Sequence, residues 1–471
     1  MTPVRPMLCV IGDALLDVDW DGAVQRVCRD APVPVLDTPA EQARPGGAAL
    51  AASLAAASGA RTTLVTALGT DNNARRLRTQ LDRAGVTIVD LGIGGPTPVK
   101  LRLRAGGQPI ARVDRGCSPI LPPGRWSAAA AAAVEAADAF LVSDYGRGMA
   151  AWPGLTDVEL LDGRPLVWDP HVDGPRPPEQ TALATPNVTE AHNLAHHDGR
   201  APERLSDVVA LADELGRALG CTTAVTAGPL GAVVADGQAP PTIVPTTPVR
   251  GDVCGAGDRF AASAAVALAG GIEIIEAVEA AVEDARAFVA GGLGPSQPQA
   301  PSSPRPGRRA VVALRTRTDR NDAISAAAAV RRTGGTVVAA GGCFDVLHAG
   351  HVQLLERARR LGDHLVVCLN SDHSVRRLKG AHRPLNTVDD RAAVLRSLGC
   401  VDGVVTFDDD TPCRALEAVR PHLFVKGADY RGVDLAERDV MAGWGGQVVL
   451  LPLVSGHSTT RLIATAAAAG A

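Results

Sequence analysis

From Met7 onward, short continuous apolar runs alternate with alanine-rich stretches in which apolar positions recur every three or four residues. That alternation predicts βαβ units around a mostly parallel sheet covered on both faces. MLCVIG, TTLVTALG, AFLVSD, RPLVWDP, TAVTAG and GAVVA are the expected strands. Ala48–Ser58, Arg204–Leu219 and Arg259–Leu268 are expected helices. The pattern holds to about Gly294, where SQPQAPSSPRPGRR loses all apolar period and predicts a linker. A second series begins near Gly335 with TVVAAGG, HLVVCLN, GVVTF, LFVKG and QVVLLPL. The expected organisation is one α/β domain over 1–294, a linker with a connecting helix over 295–334, and a second α/β domain over 335–471.

Composition narrows the class. The chain has 471 residues, too many for one ordinary core, and 46% hydrophobic residues, which excludes a disordered chain. A net charge of −4 gives no sign of a polyanion binder, so nucleic acid is not an expected partner. No basic segment leads into an apolar one at the start, and no charge-free apolar run of about 18 residues occurs. A cytoplasmic enzyme without a membrane anchor is the expectation. Nine scattered cysteines without a CxxC pair argue against a disulfide framework and a zinc site. Only three lysines, Lys100, Lys379 and Lys426, stand among 44 arginines. Arg does not replace a compact ammonium at every phosphate, so these three are candidate phosphate contacts.

GDVCGAGDRF at Gly251–Phe260 leads directly into an apolar helix. Gly255, Ala256 and Gly257 let backbone N–H groups approach an anion at a helix N-terminus. Asp258 would repel a phosphate, so the sequence offers two roles for it: a helix cap, or a base that takes a proton from an attacking hydroxyl.

Taken in order, GDALLD (Gly12–Asp17), RPGGAA (Arg44–Ala49), TPNVTE (Thr185–Glu190), VTAGPLG (Val225–Gly231) and DVCGAGD (Asp252–Asp258) resemble the PfkB, ribokinase-like sugar kinases. The resemblance implies a three-layer domain with a small β lid, with Asp258 as catalytic base and Gly255–Gly257 as anion hole. It also implies Gly228 and Gly231 against the nucleotide, Asp13, Asp17, Gly46 and Gly47 facing the sugar, and Asn187 with Glu190 organising Mg²⁺ through water. APVPVL (Ala31–Leu36), KLRLR (Lys100–Arg104), PIARVD (Pro109–Asp114) and SDYGRG (Ser143–Gly148) are similar to the heptose 7-phosphate kinase branch. Lys100, Arg102 and Arg112 would then meet the substrate's own phosphate. Four positions depart from the family: Leu50 stands where Asn is usual, Arg147 where Lys is, and Cys254 and Arg259 where Thr is.

In the second domain, GGCFDVLHAGH at Gly341–His351 places two histidines three apart at a helix start, on one face and at its positive end. With the preceding GxFD this resembles the cytidylyltransferase-like nucleotidyltransferases. NSDHSVRRLKG (Asn370–Gly380), RPLN (Arg383–Asn386), VKGADY (Val425–Tyr430) and HSTTRL (His457–Leu462) are similar to their heptose 1-phosphate adenylyltransferase branch. By that resemblance His348 and His351 hold phosphate oxygens in the transition state. Gly342, Phe344, Asp345, Lys379, Lys426, Ser458, Thr459 and Thr460 would contact nucleotide or phosphate.

Together the motifs resemble a family in which both activities share one chain. It uses ATP in both domains with Mg²⁺ as cofactor, needs a separate phosphatase between the two steps, and forms a homodimer through the kinase lid. Leu50 and Arg147 keep two rivals open at this point: a pseudokinase first domain, and an altered sugar or CTP specificity.

Overall fold

The structure, a computed structural model, describes residues 5–106, 108–118, 127–151, 162–291, 320–430, 433 and 435–452. The chain divides into two compact units. One comprises Met1–Ala201, Leu215–Ala232 and Thr246–Pro295; the other comprises Pro202–Glu214, Val233–Pro245 and Ser296–Ala471. The second unit thus takes two segments from within the expected first domain. Most of the expected linker lies outside the described residues, but its connecting helix is present at Arg320–Arg332.

The strands in chain order begin with β1 (Met7–Gly12), β2 (Ala14–Val27), β3 (Pro34–Gly47), β4 (Arg61–Thr66), β5 (Thr87–Asp90) and β6 (Val99–Ala105). β7 (Gln108–Arg115), β8 (Ala139–Ser143), β9 (Leu166–Asp169), β10 (Leu183–Ala184), β11 (Thr222–Thr226), β12 (Ala232–Ala235) and β13 (Thr242–Val244) follow. Within the first unit the order is β11-β10-β9-β8-β1-β4-β5, every pair parallel. Val10 stands opposite Leu64 on one side and Leu141 on the other, which fixes the register at the centre of the sheet. The apolar runs are buried on both faces, as a parallel sheet with covering helices requires. Phe140, Trp168, Ile11 and Val142 anchor one side of that core.

A separate four-stranded sheet runs β3-β2-β6-β7. β2 pairs antiparallel with β3 and parallel with β6, and β6 pairs antiparallel with β7. This is the expected lid, built from strands far longer than the sequence motifs suggested: β2 and β3 each have 14 residues. Alternation puts Asp17 and Asp19 of β2 opposite Lys100 and Arg102 of β6, so one lid face is a ladder of charge.

The second unit carries β14 (Val337–Gly342), β15 (His364–Asn370), β16 (Gly403–Phe407), β17 (Leu423–Gly427) and β18 (Gln447–Leu451), in the order β16-β15-β14-β17-β18 and all parallel. Among the described residues no helix is long and apolar enough to cross a membrane.

Candidate active sites

The helix Ala256–Ala269 starts three residues before its expected boundary. Its cap is Gly255, at φ 86° and ψ 4°. That left-handed turn favours glycine, and Leu50 Cδ2 would lie 2.7 Å from any Cβ there. No side chain caps the helix, so the first-turn N–H groups of Gly257 and Asp258 are left for an anion. A cavity of about 320 Å³ opens beside them, lined by Gly228, Gly231, Ala256, Gly257, Thr246 and Phe260 among others.

Asp258 is buried and does not cap the helix. Both its oxygens accept from the Tyr145 hydroxyl, each at 2.9 Å. Burial pushes its carboxyl up to about 7, opposed first by the Tyr145 hydrogen bond; the negative charge of Asp17 adds to the rise and Lys100 opposes it. A carboxyl poised near neutrality suits a general base. The departure at Arg259 has a structural reason. Its guanidinium bonds Ser58 Oγ at 2.9 Å and Asp284 Oδ2 at 2.8 Å, tying the helix that carries Asp258 to its two neighbours. Leu50, buried against Gly255, backs the anion turn with an apolar wall where the family's amide would stand.

The residues expected to face the sugar divide by role. Asp13 is enclosed and its carboxylate accepts the backbone N–H groups of Tyr145 at 3.2 Å, Arg147 at 3.0 Å and Met149 at 3.2 Å, so it holds a loop rather than standing open to a ligand. Asp17 accepts from Arg102 Nη1 at 2.8 Å. Gly46 lies close against it: a Cβ there would stand 2.5 Å from Asp17 Oδ2 and displace that side chain. Gly47 caps the helix Ala48–Ala57.

The expected phosphate cations also divide. Arg102 is committed to Asp17, and Arg112 to Asp114 through Nε at 2.7 Å and Nη2 at 2.5 Å. Arg44 pairs with Asp19, and Arg104 with Asp252 at 3.2 Å. Among the described residues Lys100 has no carboxylate at ion-pair distance. Its ammonium stands 4.7 Å over the Tyr145 ring, and burial followed by the Arg112 charge lowers its pKa. Arg147 is 3% exposed and donates from Nη2 to Gly116 O at 2.9 Å, while its Nε and Nη1 are buried without a hydrogen-bond partner. The sequence marked Arg147 only as a departure. Its two open donors became visible with the burial.

Asn187 and Glu190 form a capping box. Asn187 Oδ1 accepts from the N–H groups of Thr189 and Glu190, and Glu190 Oε2 accepts from Asn187 N at 2.7 Å. One Glu190 oxygen remains outside that box. Burial raises the pKa of Glu190, and Asp169 is held well above the carboxylate range by burial and then by the charges of Glu190 and Asp258. Among the described residues no three metal-ligating side chains converge, so these oxygen donors fit a magnesium ion only as one that keeps most of its waters.

In the second unit the turn after β14 carries Phe344 at φ 44°. His348 caps the helix Ala349–Arg360 by position, without a side-chain bond to it, and stacks on His351 with ring centroids 3.9 Å apart. Phe344 packs on His351 at 5.1 Å. Burial, then the neighbouring His348, lowers the His351 pKa to about 4, so it is neutral at pH 7. Gly342 ends β14 against the Phe344 ring. Asp345 does not stand open to a phosphate: it accepts from Arg383 Nε, Leu385 N at 2.6 Å and Asn386 N at 3.1 Å. The buried Arg391, which the sequence motifs did not flag, bonds Cys343 O at 2.6 Å, Asn370 O at 2.9 Å and Asp372 Oδ1 at 2.7 Å, locking the glycine turn to the end of β15. Lys379 is exposed at the end of the helix Asp372–Lys379, and its charge reaches the Cys343 thiol. Lys426 Nζ is 4.4 Å from the Tyr430 ring centroid and ion-paired to Glu437. Ser458, Thr459 and Thr460 lie outside the described residues.

An uncapped helix start beside a buried carboxyl, and a strand–turn–helix carrying stacked histidines, are the features expected of a kinase joined to a nucleotidyltransferase. Comparison agrees. The model of the pfkB family carbohydrate kinases matches residues 5–147 and 165–296, and the cytidylyltransferase-like model matches 339–442. Bifunctional protein HldE of Streptomyces coelicolor is 48% identical over 464 residues, covering 98% of this chain and 97% of that protein. The Halorhodospira halophila protein of that name is 38% identical over 485 residues, covering 98% and 99%. A solved Arabidopsis thaliana ribokinase, complexed with ribose and ATP, aligns at 20% identity with a TM-score of 0.48, over 61% of this chain and 93% of that one. The chain belongs to the family of bifunctional HldE proteins, as a carbohydrate kinase and nucleotidyltransferase in one polypeptide.

Proposed function

We propose that the first domain phosphorylates heptose 7-phosphate at C1 with ATP, and that the second joins heptose 1-phosphate to AMP from ATP, giving ADP-heptose and pyrophosphate. The observation that carries the kinase half is the enclosed Asp258 on an uncapped helix turn. Its carboxylate takes the C1 hydroxyl proton as that oxygen bonds to the γ-phosphorus and the bond to ADP breaks. The N–H groups that open the helix meet the transferring phosphoryl oxygens. The cavity beside Gly228 and Gly231 would take the nucleotide. Lys100, with the open donors of Arg147, would take the substrate's own phosphate.

Adenylylation needs no base, because a sugar 1-phosphate oxygen is already ionised. It attacks the α-phosphorus in line, and the bond to pyrophosphate breaks. His348 and His351 would orient the phosphate oxygens, and Lys379 and Lys426 would supply charge. Magnesium, which Asn187 and Glu190 would hold through water in the kinase domain, would neutralise phosphate charge when bound.

The two reactions are not consecutive. A phosphatase must remove the 7-phosphate between them, and its action is part of this reading. A homodimer through the lid is likewise proposed, supported by the exposed Val24, Val27, Val33 and Ile110 on its strands and their connection. The test is incubation with ATP, Mg²⁺ and heptose 7-phosphate, with and without added phosphatase, with products identified by mass. A bisphosphate alone without phosphatase and ADP-heptose with it is the expected result. Absence of the bisphosphate overturns the kinase assignment.

A further inference from the structure

Tyr145 lies in the SDYGRG segment, but its sequence motif gives it no role. The side chain is half-buried, and its hydroxyl donates to Asp258 Oδ1 and Oδ2, each at 2.9 Å. Burial, and then the Asp258 charge, holds the phenol well above its usual pKa, so it keeps the proton it donates. A single donor shared by both oxygens fixes the rotation of the carboxylate and leaves lone pairs on each for a second partner. The loop that carries Tyr145 is fixed in turn by Asp13, through the three backbone hydrogen bonds to Tyr145, Arg147 and Met149. The Lys100 ammonium covers the ring from the lid side at 4.7 Å.

We propose that Tyr145 is the positioning residue of the kinase base, aiming the Asp258 carboxylate and keeping it ionised, with Asp13 anchoring the loop that presents it.

Charged and titratable groups face Asp258 from each surrounding element. Asp17 comes from β2, Lys100 from β6, Asp169 from the end of β9, and Glu190 from the helix Val188–Leu194. The three acidic groups favour its protonated form, and Lys100 opposes them without touching it. Among the described residues Tyr145 is the side chain that hydrogen-bonds the carboxylate. Deleting its hydroxyl removes the contact that most favours ionisation, so the base should demand a higher pH. A merely structural tyrosine would, when truncated, scale the whole pH profile down by one factor.

The inference rests on Asp258 being the base, and the experiment separates the two claims. Kinase kcat/KM for heptose 7-phosphate is measured from pH 6 to 9.5 on the full chain as wild type, Tyr145→Phe, Asp13→Asn and Asp258→Asn. Tyr145→Phe is expected to move the acid limb to higher pH, with about a 10-fold loss at pH 7 that shrinks below about 3-fold at pH 9, the scale of one hydrogen bond to a charged group. Asp13→Asn should move the limb the same way, because an amide cannot accept three donors on two oxygens. A Phe variant with an unmoved limb, or one as active as wild type at every pH, overturns the proposal. Wild-type turnover in Asp258→Asn would instead refute the base assignment beneath it.

Discussion

Lys426 Nζ lies 2.7 Å from Glu437 Oε1, with side chains 12% and 4% exposed. An ammonium expected to meet phosphate therefore already has a buried counter-ion. Removing one member of such a pair leaves the other uncompensated in low dielectric. Glu437→Ala should destabilise the transferase unit by about 3–5 kcal/mol. Denaturant unfolding followed by fluorescence checks it, and a change within ordinary surface scatter would show the pair to be solvated.

The lysines themselves give a second expectation. Lys379→Arg and Lys426→Arg should each cut adenylyltransferase kcat/KM at least ~10-fold, about 1.4 kcal/mol of transition-state stabilisation, because a planar guanidinium does not replace a compact ammonium. Kinase rates should not change. Steady-state assays of both activities on one preparation decide it.

Asp258→Asn should lower the kinase rate by ~10²–10⁴-fold, the usual scale for a positioned base, and leave adenylylation intact. It should also stabilise the fold at neutral pH. The folded carboxyl is raised from 3.8 to about 7, so its protonated form is the stable one. Its contribution is fully present below the unfolded pKa and is lost as pH rises through about 7. The gain in melting temperature over wild type should therefore be absent near pH 4 and grow towards pH 8. A gain independent of pH would contradict the burial of this charge.

Lys100→Met should raise KM for the sugar phosphate by ~10-fold or more, as for a lost charge-assisted hydrogen bond, with a smaller change in kcat. Arg112→Ala should change KM by less than about 2-fold, since Arg112 is exposed and already paired to Asp114. Equal effects from the two would reassign the phosphate contact.

Leu50→Asn puts an amide against Gly255, where Leu50 is now buried. The free enzyme should lose stability, by ~1–3 kcal/mol for an unpaired buried amide. KM for the sugar should fall if the amide finds a hydroxyl when the substrate binds. Calorimetry with and without sugar phosphate would show both. A variant that loses stability without gaining affinity would mean that the pocket has been rebuilt around leucine.

The apolar runs made the strands legible. MLCVIG, AFLVSD, HLVVCLN and LFVKG lie where expected because a parallel strand buried on both faces has no polar alternation to blur it. The lid was legible only in pieces. β2 and β3 carry aspartates, prolines and glycines along 14 residues each, and their pairing partners lie far away in sequence. The same limit applied to the site. Motifs located Asp258, Lys100 and the histidine pair. They could not reveal that Asp13 and Asp345 serve loops, that Arg102 and Arg112 are committed to aspartates, or that Tyr145 meets Asp258, because each depends on a contact between distant segments.

The ladder of paired charges on the lid also bears on how such an enzyme could diversify. Arg44, Arg102 and Arg112 are each neutralised by an aspartate of the same sheet, so the lid keeps its own shape and contributes little net field. On the proposed reading, demand for a phosphorylated substrate then rests on very few positions, Lys100 foremost. After gene duplication, a single codon change at that position could relax the demand while strand pairing, base and anion turn stayed as they are. Substrate charge would be a trait separable from fold, open to drift or selection without a loss of stability on the way.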